Sequence, residues 1–340
     1  MTFVISLAER ALIPDSLIRI GIRYIVGQRL REERRVSNAD RQARLGALRE
    51  SHIAAHTDNA NQQHYEVATE FFRLVLGPRL KYSASLFDNA TVSLAEAEEH
   101  TLQLYVERLE LAAGHRVLDL GCGWGSFALW LAEHRPDVHV TAVSNSSTQR
   151  AHIEREARTK GIDNLQARVA DVNALEFPVG SFDRIISIEM FEHLRNYAQL
   201  LERISTWLSP QGRLFVHIFC HRQYLYSYET AGASNWMAQN FFTGGLMPAA
   251  DTLATFQEHL RLLDRQLYSG THYARTARAW LSNLDARCAE VRGALVSTYG
   301  ETDADLWVQR WRMFFMACEE MFAYDNGSQW QIGHYLFERR

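Results

Sequence analysis

Cysteine is scarce in this chain of 340 residues. Its four, Cys122, Cys220, Cys288 and Cys318, stand far apart and make no C-x-x-C pair. That argues against a disulfide framework or a zinc site and leaves a reducing cytoplasm as the expected setting, with no metal. Charge of one sign is also lacking: 36 basic residues face 40 acidic ones, a net of -4. A nucleic-acid partner is not expected, since phosphate binding leaves a basic footprint. Long apolar runs are missing too. The first thirty residues lean apolar, but Glu9, Arg10, Pro14, Asp15, Arg19 and Arg23 interrupt them. Neither a signal-peptide core nor a membrane span can form there. Internal repeats and low-complexity tracts are absent. What remains is an ordinary globular composition, 47% hydrophobic, with ample material for a core.

The spacing of apolar residues predicts a helix over 15–35, with Asp15 or Ser16 as cap and Leu17, Ile18, Ile20, Ile22, Ile25 and Val26 as its apolar face. Arg29, Arg31, Arg34 and Arg35 cluster near its end. They suit a solvated helix end better than a membrane anchor, because Glu32 and Glu33 dilute the charge. Residues 37–63 are polar, and 91–111 read as a helix. From Arg116 onward strand-like and helix-like runs alternate. Strands are expected at 116–120, 139–144, 165–170, 184–188 and 213–219, and helices at 147–160, capped by Ser146 or Ser147, and 197–208. Alternation of this kind predicts an α/β fold with a doubly wound parallel sheet, whose ligands bind at the carboxyl ends of the strands. Residues 220–258 break the rhythm with Asn235-Trp236-Met237 and Phe241-Phe242-Thr243-Gly244-Gly245. An aromatic stretch this long reads as an active-site lid or as a small satellite core. Residues 274–325 look helical, and 330–338 look like a last strand returning to the sheet.

The centre of the pattern is Val117-Leu118-Asp119-Leu120-Gly121-Cys122-Gly123-Trp124-Gly125. A buried strand runs into a G-x-G-x-G turn and then into an apolar-periodic helix. Glycines let a ligand approach the main chain closely. With an Asp two residues before the first Gly, this resembles motif I of class I S-adenosylmethionine-dependent methyltransferases more than a dinucleotide fingerprint. A second cluster, Glu189-Met190-Phe191-Glu192-His193, puts two carboxylates and an imidazole straight after a buried strand. Buried acids are ordinarily paired or functional; the plain alternative is that Glu189 or His193 braces the next helix.

Together with Lys81-Tyr82-Ser83 and Phe241-Phe242-Thr243-Gly244-Gly245, these motifs resemble the cyclopropane-fatty-acid-synthase superfamily of methyltransferases. Within it the chain looks nearest to the coclaurine N-methyltransferase branch. The resemblance covers about residue 60 to the end. It implies a Rossmann-like core over 81–219, an N-terminal helical region over 1–80 covering the site, an aromatic lid and helical substrate-binding insertion over 220–325, and a final core strand over 326–340. S-adenosylmethionine is the implied cofactor and S-adenosylhomocysteine the product. Gly121, Gly123 and Gly125 would pass beneath the methionine part, and Asp119 would orient its ammonium group. Tyr82 and Ser83 would reach the cofactor from the N-terminal side. No acid follows the second strand, so Asn145 and Gln149 are the ribose candidates. Asp171 would accept from the adenine amine, with Val172 on the ring.

Methylation of an amine needs a neutral nitrogen, while most alkyl amines are protonated at pH 7. His193 has a suitable ordinary pKa, about 6.5. Glu192 or Glu189 would bind the cation and polarise the imidazole. Glu66 is carried over as a further acid that holds the amine. Aromatics at Tyr82, Trp236, Phe241 and Phe242 suit a cation.

The rival is cyclopropane formation on unsaturated phospholipid, for which the resembled enzymes hold a bicarbonate ion. Glu192, His217 and Tyr273 match that cage, but Ala84 and Phe219 replace its Cys and Ile, and Glu189 replaces a Gly. An added carboxylate suits a cationic substrate and suits a lipid tunnel poorly. The expected partner is therefore a small-molecule amine, with membrane contact left to the lipid alternative and a homodimer left open.

Overall fold

The structure, a computed structural model, describes residues 2–54, 67–88, 93–228 and 235–340. Three helices open the chain: α1 (Thr2–Glu9), α2 (Asp15–Arg35) and α3 (Asn38–Glu50). α2 begins straight after Pro14 without a side-chain cap, so neither Asp15 nor Ser16 caps it. Its Ile18, Val26 and Leu30 are buried, while Leu17 and Ile20 face outward. α4 (Thr69–Val75) follows, and α5 (Leu94–Leu109) starts in a capping box in which Ser93 and Glu96 satisfy each other's amides.

The alternating part comes next: β1 (Arg116–Leu120), α6 (Ser126–His134), β2 (His139–Ser144), α7 (Ser147–Lys160), β3 (Leu165–Val169), β4 (Phe182–Ile188), α8 (Tyr197–Trp207) and β5 (Leu208–His221). Ser146 caps α7 by accepting the Gln149 amide. Beyond β5 lie the short pair β6 (Tyr226–Ser227) and β7 (Leu246–Met247), with α9 (Trp236–Asn240) between them. Then come β8 (Leu260–Ser269), α10 (Thr271–Ala286), α11 (Cys288–Gly327) and β9 (Trp330–Arg339). Gly300 breaks the helical geometry of α11.

One seven-stranded sheet carries the fold, in the order β3-β2-β1-β4-β5-β9-β8. The first five strands are parallel, and β9 runs antiparallel between β5 and β8. The order reverses between β1 and β4, which makes their carboxyl ends the switch point of a doubly wound sheet. One face buries Tyr105, Phe127 and Leu131 from α5 and α6. The other buries Tyr197, Leu201 and Trp207 from α8. A third core, rich in Phe and Trp, joins α2, α4, α10 and α11 beside the sheet. Among the described residues no helix is long and apolar enough to cross a membrane.

Two expectations are corrected. Residues 220–325 are not wholly an insertion, because β8 lies inside that span and forms the sheet edge. Its sequence hid it: most of β8 is exposed, Leu263 and Leu267 included, and Arg261, Asp264 and Arg265 charge it as edge strands are charged, so the two-residue apolar period is missing. The strand after Pro210-Gln211-Gly212 also starts earlier, at Leu208, and absorbs the turn as an irregularity opposite Phe182 and Arg184.

Candidate active site

Three cavities meet at the carboxyl ends of β1 and β4. The first is lined by Gly121, Gly123, Asn145, Gln149, Asp171, Val172, Glu189 and His193, among others. The second reaches Tyr82, Ser83 and Asp119 and again touches Gly121, Gly123, Gln149 and Glu189. The third is aromatic, with Tyr82, Phe219, Tyr228, Phe242, Tyr273 and Trp280 around Glu189 and His193. Glu189 is thus common to all three. His193 joins the first to the third, and Tyr82 joins the second to the third.

The glycine turn leaves β1 with its Gly121 and Cys122 amides on the Val143 carbonyl. A side chain at Gly121 would meet Met190 at 2.6 Å, whereas one at Gly123 would meet nothing within 4 Å and would project into open space. Gly123 also has φ +52, a conformation L-residues avoid. Gly125 differs from the expectation. It does not line these cavities, and a side chain there would strike Ile153 at 2.6 Å. Its smallness serves the packing of α7 against the turn.

Asp119 is 1% exposed, and neither carboxylate oxygen has a hydrogen-bond partner in the chain. Burial lifts its pKa to about 7, against a weaker pull from the Ala128 amide. A buried carboxylate that the chain satisfies so weakly is suited to a cationic ligand group. Beside it, Ser144 donates to Gln149 at 2.5 Å, which orients the amide of Gln149. Asp171 accepts the Asn173 amide at 2.8 Å.

Glu189 follows β4 in the left-handed region, at φ +47. Such a backbone costs about 1–3 kcal/mol for a residue other than glycine. The turn sends its amide to the His217 carbonyl at 2.8 Å. Its carboxylate accepts from the Ala84 amide at 2.9 Å and the Tyr273 hydroxyl at 2.7 Å, and lies 3.2 Å from His217 Nε2. Burial raises its pKa, while the Lys81 ammonium and these donors oppose the rise. Lys81 is itself buried and donates to Ser83 Oγ at 2.7 Å and to the Ala84 carbonyl. Burial lowers its pKa to about 8, with Glu189 and Glu98 pulling it back up.

Glu192 is fully buried and accepts the Phe219 amide at 2.7 Å through one oxygen, while the other has no partner. Burial, then the neighbouring Glu189, push its pKa well above the carboxylate range. It does not line the three cavities. The His193 ring packs edge-on to Phe242, with centroids 4.9 Å apart.

The model of the mycolic acid cyclopropane synthetase family matches residues 52–332. The chain belongs to this family. A curated relative, (S)-coclaurine N-methyltransferase of Thalictrum flavum subsp. glaucum, is 35% identical over 98% of this chain and 94% of its own length. A crystal structure of coclaurine N-methyltransferase bound to N-methylheliamine and SAH superimposes with a TM-score of 0.93, at 34% identity and 99% coverage of both chains. The cyclopropane synthase MmaA2 of Mycobacterium tuberculosis gives 0.70 at 24% identity, over 85% of this chain and all of its own, a likeness in fold. The family placement and the methyltransferase fold expected from the sequence are both borne out.

Other family-derived positions fall elsewhere than expected. Trp236 donates to Glu9 at 2.8 Å and lines a separate apolar pocket beside α2. Phe241 is fully buried and stacks on Phe314 at 4.5 Å, so this half of the aromatic stretch is satellite core. Phe242 alone of the pair faces the aromatic cavity. His217 is fully buried one layer behind Glu189 and does not line the cavity. Glu66 lies outside the described residues. The sequence reading had no place for Tyr105 and His334, which bond to His217, because only the packing of α5 on the sheet and the register of β5 with β9 bring them together.

Proposed function

We propose that this protein transfers a methyl group from S-adenosylmethionine to the nitrogen of a small, alkaloid-like amine. The observation that carries this is Glu189, a carboxylate gripped by protein donors at the wall shared by all three cavities. The first two cavities suit the cofactor, which when bound supplies an electrophilic methyl group on a cationic sulfur. Asp119 offers the unpaired carboxylate that the methionine ammonium needs, and Gly121 and Gly123 leave the space. Tyr82 and Ser83 close the methionine side. Asn145 and Gln149, on the wall of the first cavity, would hold the ribose, and Asp171 and Val172 the adenine.

The aromatic cavity takes the amine. Tyr82, Tyr273, Phe242 and Trp280 wall it, and π-faces hold a cation while excluding water. Glu189 attracts the ammonium. His193, at the same wall, takes the proton so that the nitrogen lone pair is free. Glu192 supports this turn from beneath through the Phe219 amide. In this reading Phe242 and Tyr228, after β5, help to close the acceptor side, and the carboxyl ends of the sheet strands would hold the cofactor. The setting we propose is the cytoplasm.

Cyclopropane formation is the second reading, favoured by the family's name, by the likeness in fold to a cyclopropane synthase and by the cage positions Glu192, His217 and Tyr273. In the resembled synthases the Ala84, His217 and Tyr273 positions surround a bicarbonate ion. Here they grip a carboxylate of the chain itself. Full-length protein with S-adenosylmethionine is incubated with a panel of secondary and tertiary amines, or with unsaturated phospholipid vesicles, with and without bicarbonate. Mass spectrometry should find N-methylated amine at a rate indifferent to bicarbonate. Bicarbonate-dependent ring formation with no amine turnover would sink the reading.

A further inference from the structure

Behind Glu189, away from the cavities, the core is polar where sheet interiors are ordinarily apolar. His217 on β5 and His334 on β9 face each other in register. Both are fully buried, with ring centroids 4.8 Å apart. His334 Nε2 lies 2.9 Å from His217 Nδ1, and the Tyr105 hydroxyl of α5 lies 2.8 Å from the same nitrogen. The other nitrogen, Nε2, lies 3.2 Å from a Glu189 oxygen. The proposed methyl transfer gives Tyr105 and His334 no task.

A neutral imidazole has one N–H to place. The amine reading needs Glu189 ionised, and an ionised carboxylate only accepts, so in that state Nε2 donates to Glu189. Nδ1 must then accept through its one lone pair, and either group that faces it can donate. Burial first, then the charge of Lys81, keeps His217 neutral; burial first, then His217, does the same for His334. We propose that Tyr105 and His334 are positioning residues that lock His217 in its Nε2–H tautomer and so keep Glu189 an ionised acceptor at the amine pocket. This rests on the amine reading above.

Other groups also face this chain. Lys81, Glu192, Tyr273 and Cys318 face Glu189. Tyr268 and Asp119 act on Tyr105, and Tyr268 and Arg108 stand by His334. Arg108 is bound to Asp264 at 2.7 Å. Of these contacts, Tyr105 and His334 alone reach His217 Nδ1 at hydrogen-bond distance among the described residues. Without them the proton can sit on Nδ1. Nε2 then turns a lone pair on Glu189 and disfavours its ionised form. The sign follows: Glu189 keeps its proton to higher pH, and the acid limb of kcat/KM moves up.

The test has two readouts on full-length protein. Long-range proton–nitrogen correlation of 15N-histidine-labelled protein, assigned with His217→Gln, reports the tautomer from pH 6 to 9. His217 should be neutral and Nε2–H in wild type, and should gain Nδ1–H character in the Tyr105→Phe/His334→Leu double variant. If the double variant does not fold, Tyr105→Phe, which keeps the ring, is measured alone. In parallel, the acid limb for amine methylation should move up by about one pH unit, roughly tenfold in rate below the limb and under about twofold above it. S-adenosylhomocysteine affinity should not change, and His334→Gln, which retains a donor, should restore the limb. An Nδ1–H tautomer in wild type, or a tautomer and limb unmoved in the variants, overturns the proposal. Tautomers as expected with no amine methylated would leave the network standing and defeat the amine reading instead.

Discussion

The two halves of the site handle their buried carboxylates in opposite ways. On the β1 side, Asp119 is enclosed with only a weak pull from the Ala128 amide, and burial lifts it to about 7. On the β4 side, Glu189 is enclosed with three partners and a buried lysine near by. The first arrangement waits for a ligand to complete it, and a cation bound there gains what the protein withholds. The second is complete before any ligand arrives, so it can be kept for a substrate that comes and goes. A cofactor shared by a whole family suits the first, and a variable amine suits the second.

Several changes break or sharpen this contrast. The largest effect should come from Gly123→Val, which forces a β-branched side chain into φ +52 and into open space above the turn. Strain of about 1–3 kcal/mol adds to the lost space, and calorimetry should find no S-adenosylhomocysteine binding. His193→Ala should lower kcat by about 10²-fold or more while calorimetry finds cofactor affinity unchanged. Wild-type kcat in that variant would make His193 structural.

The third change tests Asp119 through pH. Its folded pKa stands near 7, above the ordinary value of about 4. Protonation therefore stabilises the unliganded fold at low pH, and that stability is lost as pH rises through about 7. A cationic ligand needs the ionised form. S-adenosylhomocysteine should bind about tenfold more weakly at pH 6 than at pH 8, by calorimetry, and Asp119→Asn should flatten that dependence. The smallest effect is expected from Trp236→Phe, which removes the bond to Glu9. Thermal unfolding should show a loss of about 1 kcal/mol, with KM for the amine changed less than about twofold, because Trp236 stands outside the acceptor cavity.

Much of this was legible in the sequence where one physical signal dominated. The buried parallel strands β1, β2 and β4 read as apolar runs, and the Ser146 cap marked the start of α7. The edge strand β8 did not, because solvent exposure erases its period. In the site, Glu189 and His193 were legible as cavity-wall candidates because ionisable groups straight after a buried strand need a reason, and Asp119 because a carboxylate inside one does. Gly125, Phe241 and Trp236 were not, because a glycine or an aromatic serves packing as readily as a ligand, and only three-dimensional neighbours decide. The layer of His217, His334 and Tyr105 depends on register between strands more than a hundred residues apart and on α5 packing against them, which no local pattern carries.

The contrast is tested most directly by measuring Glu189→Gln twice, once by calorimetry with S-adenosylhomocysteine and once by amine turnover. Glutamine keeps the shape and removes the charge. Cofactor affinity should stay within about threefold, while kcat/KM for a charged amine should fall by about 10–100-fold, the loss of a charge-assisted hydrogen bond of about 1.5–3 kcal/mol. Equal losses in both measurements, or a loss confined to the cofactor, would contradict the assignment of Glu189 to the amine.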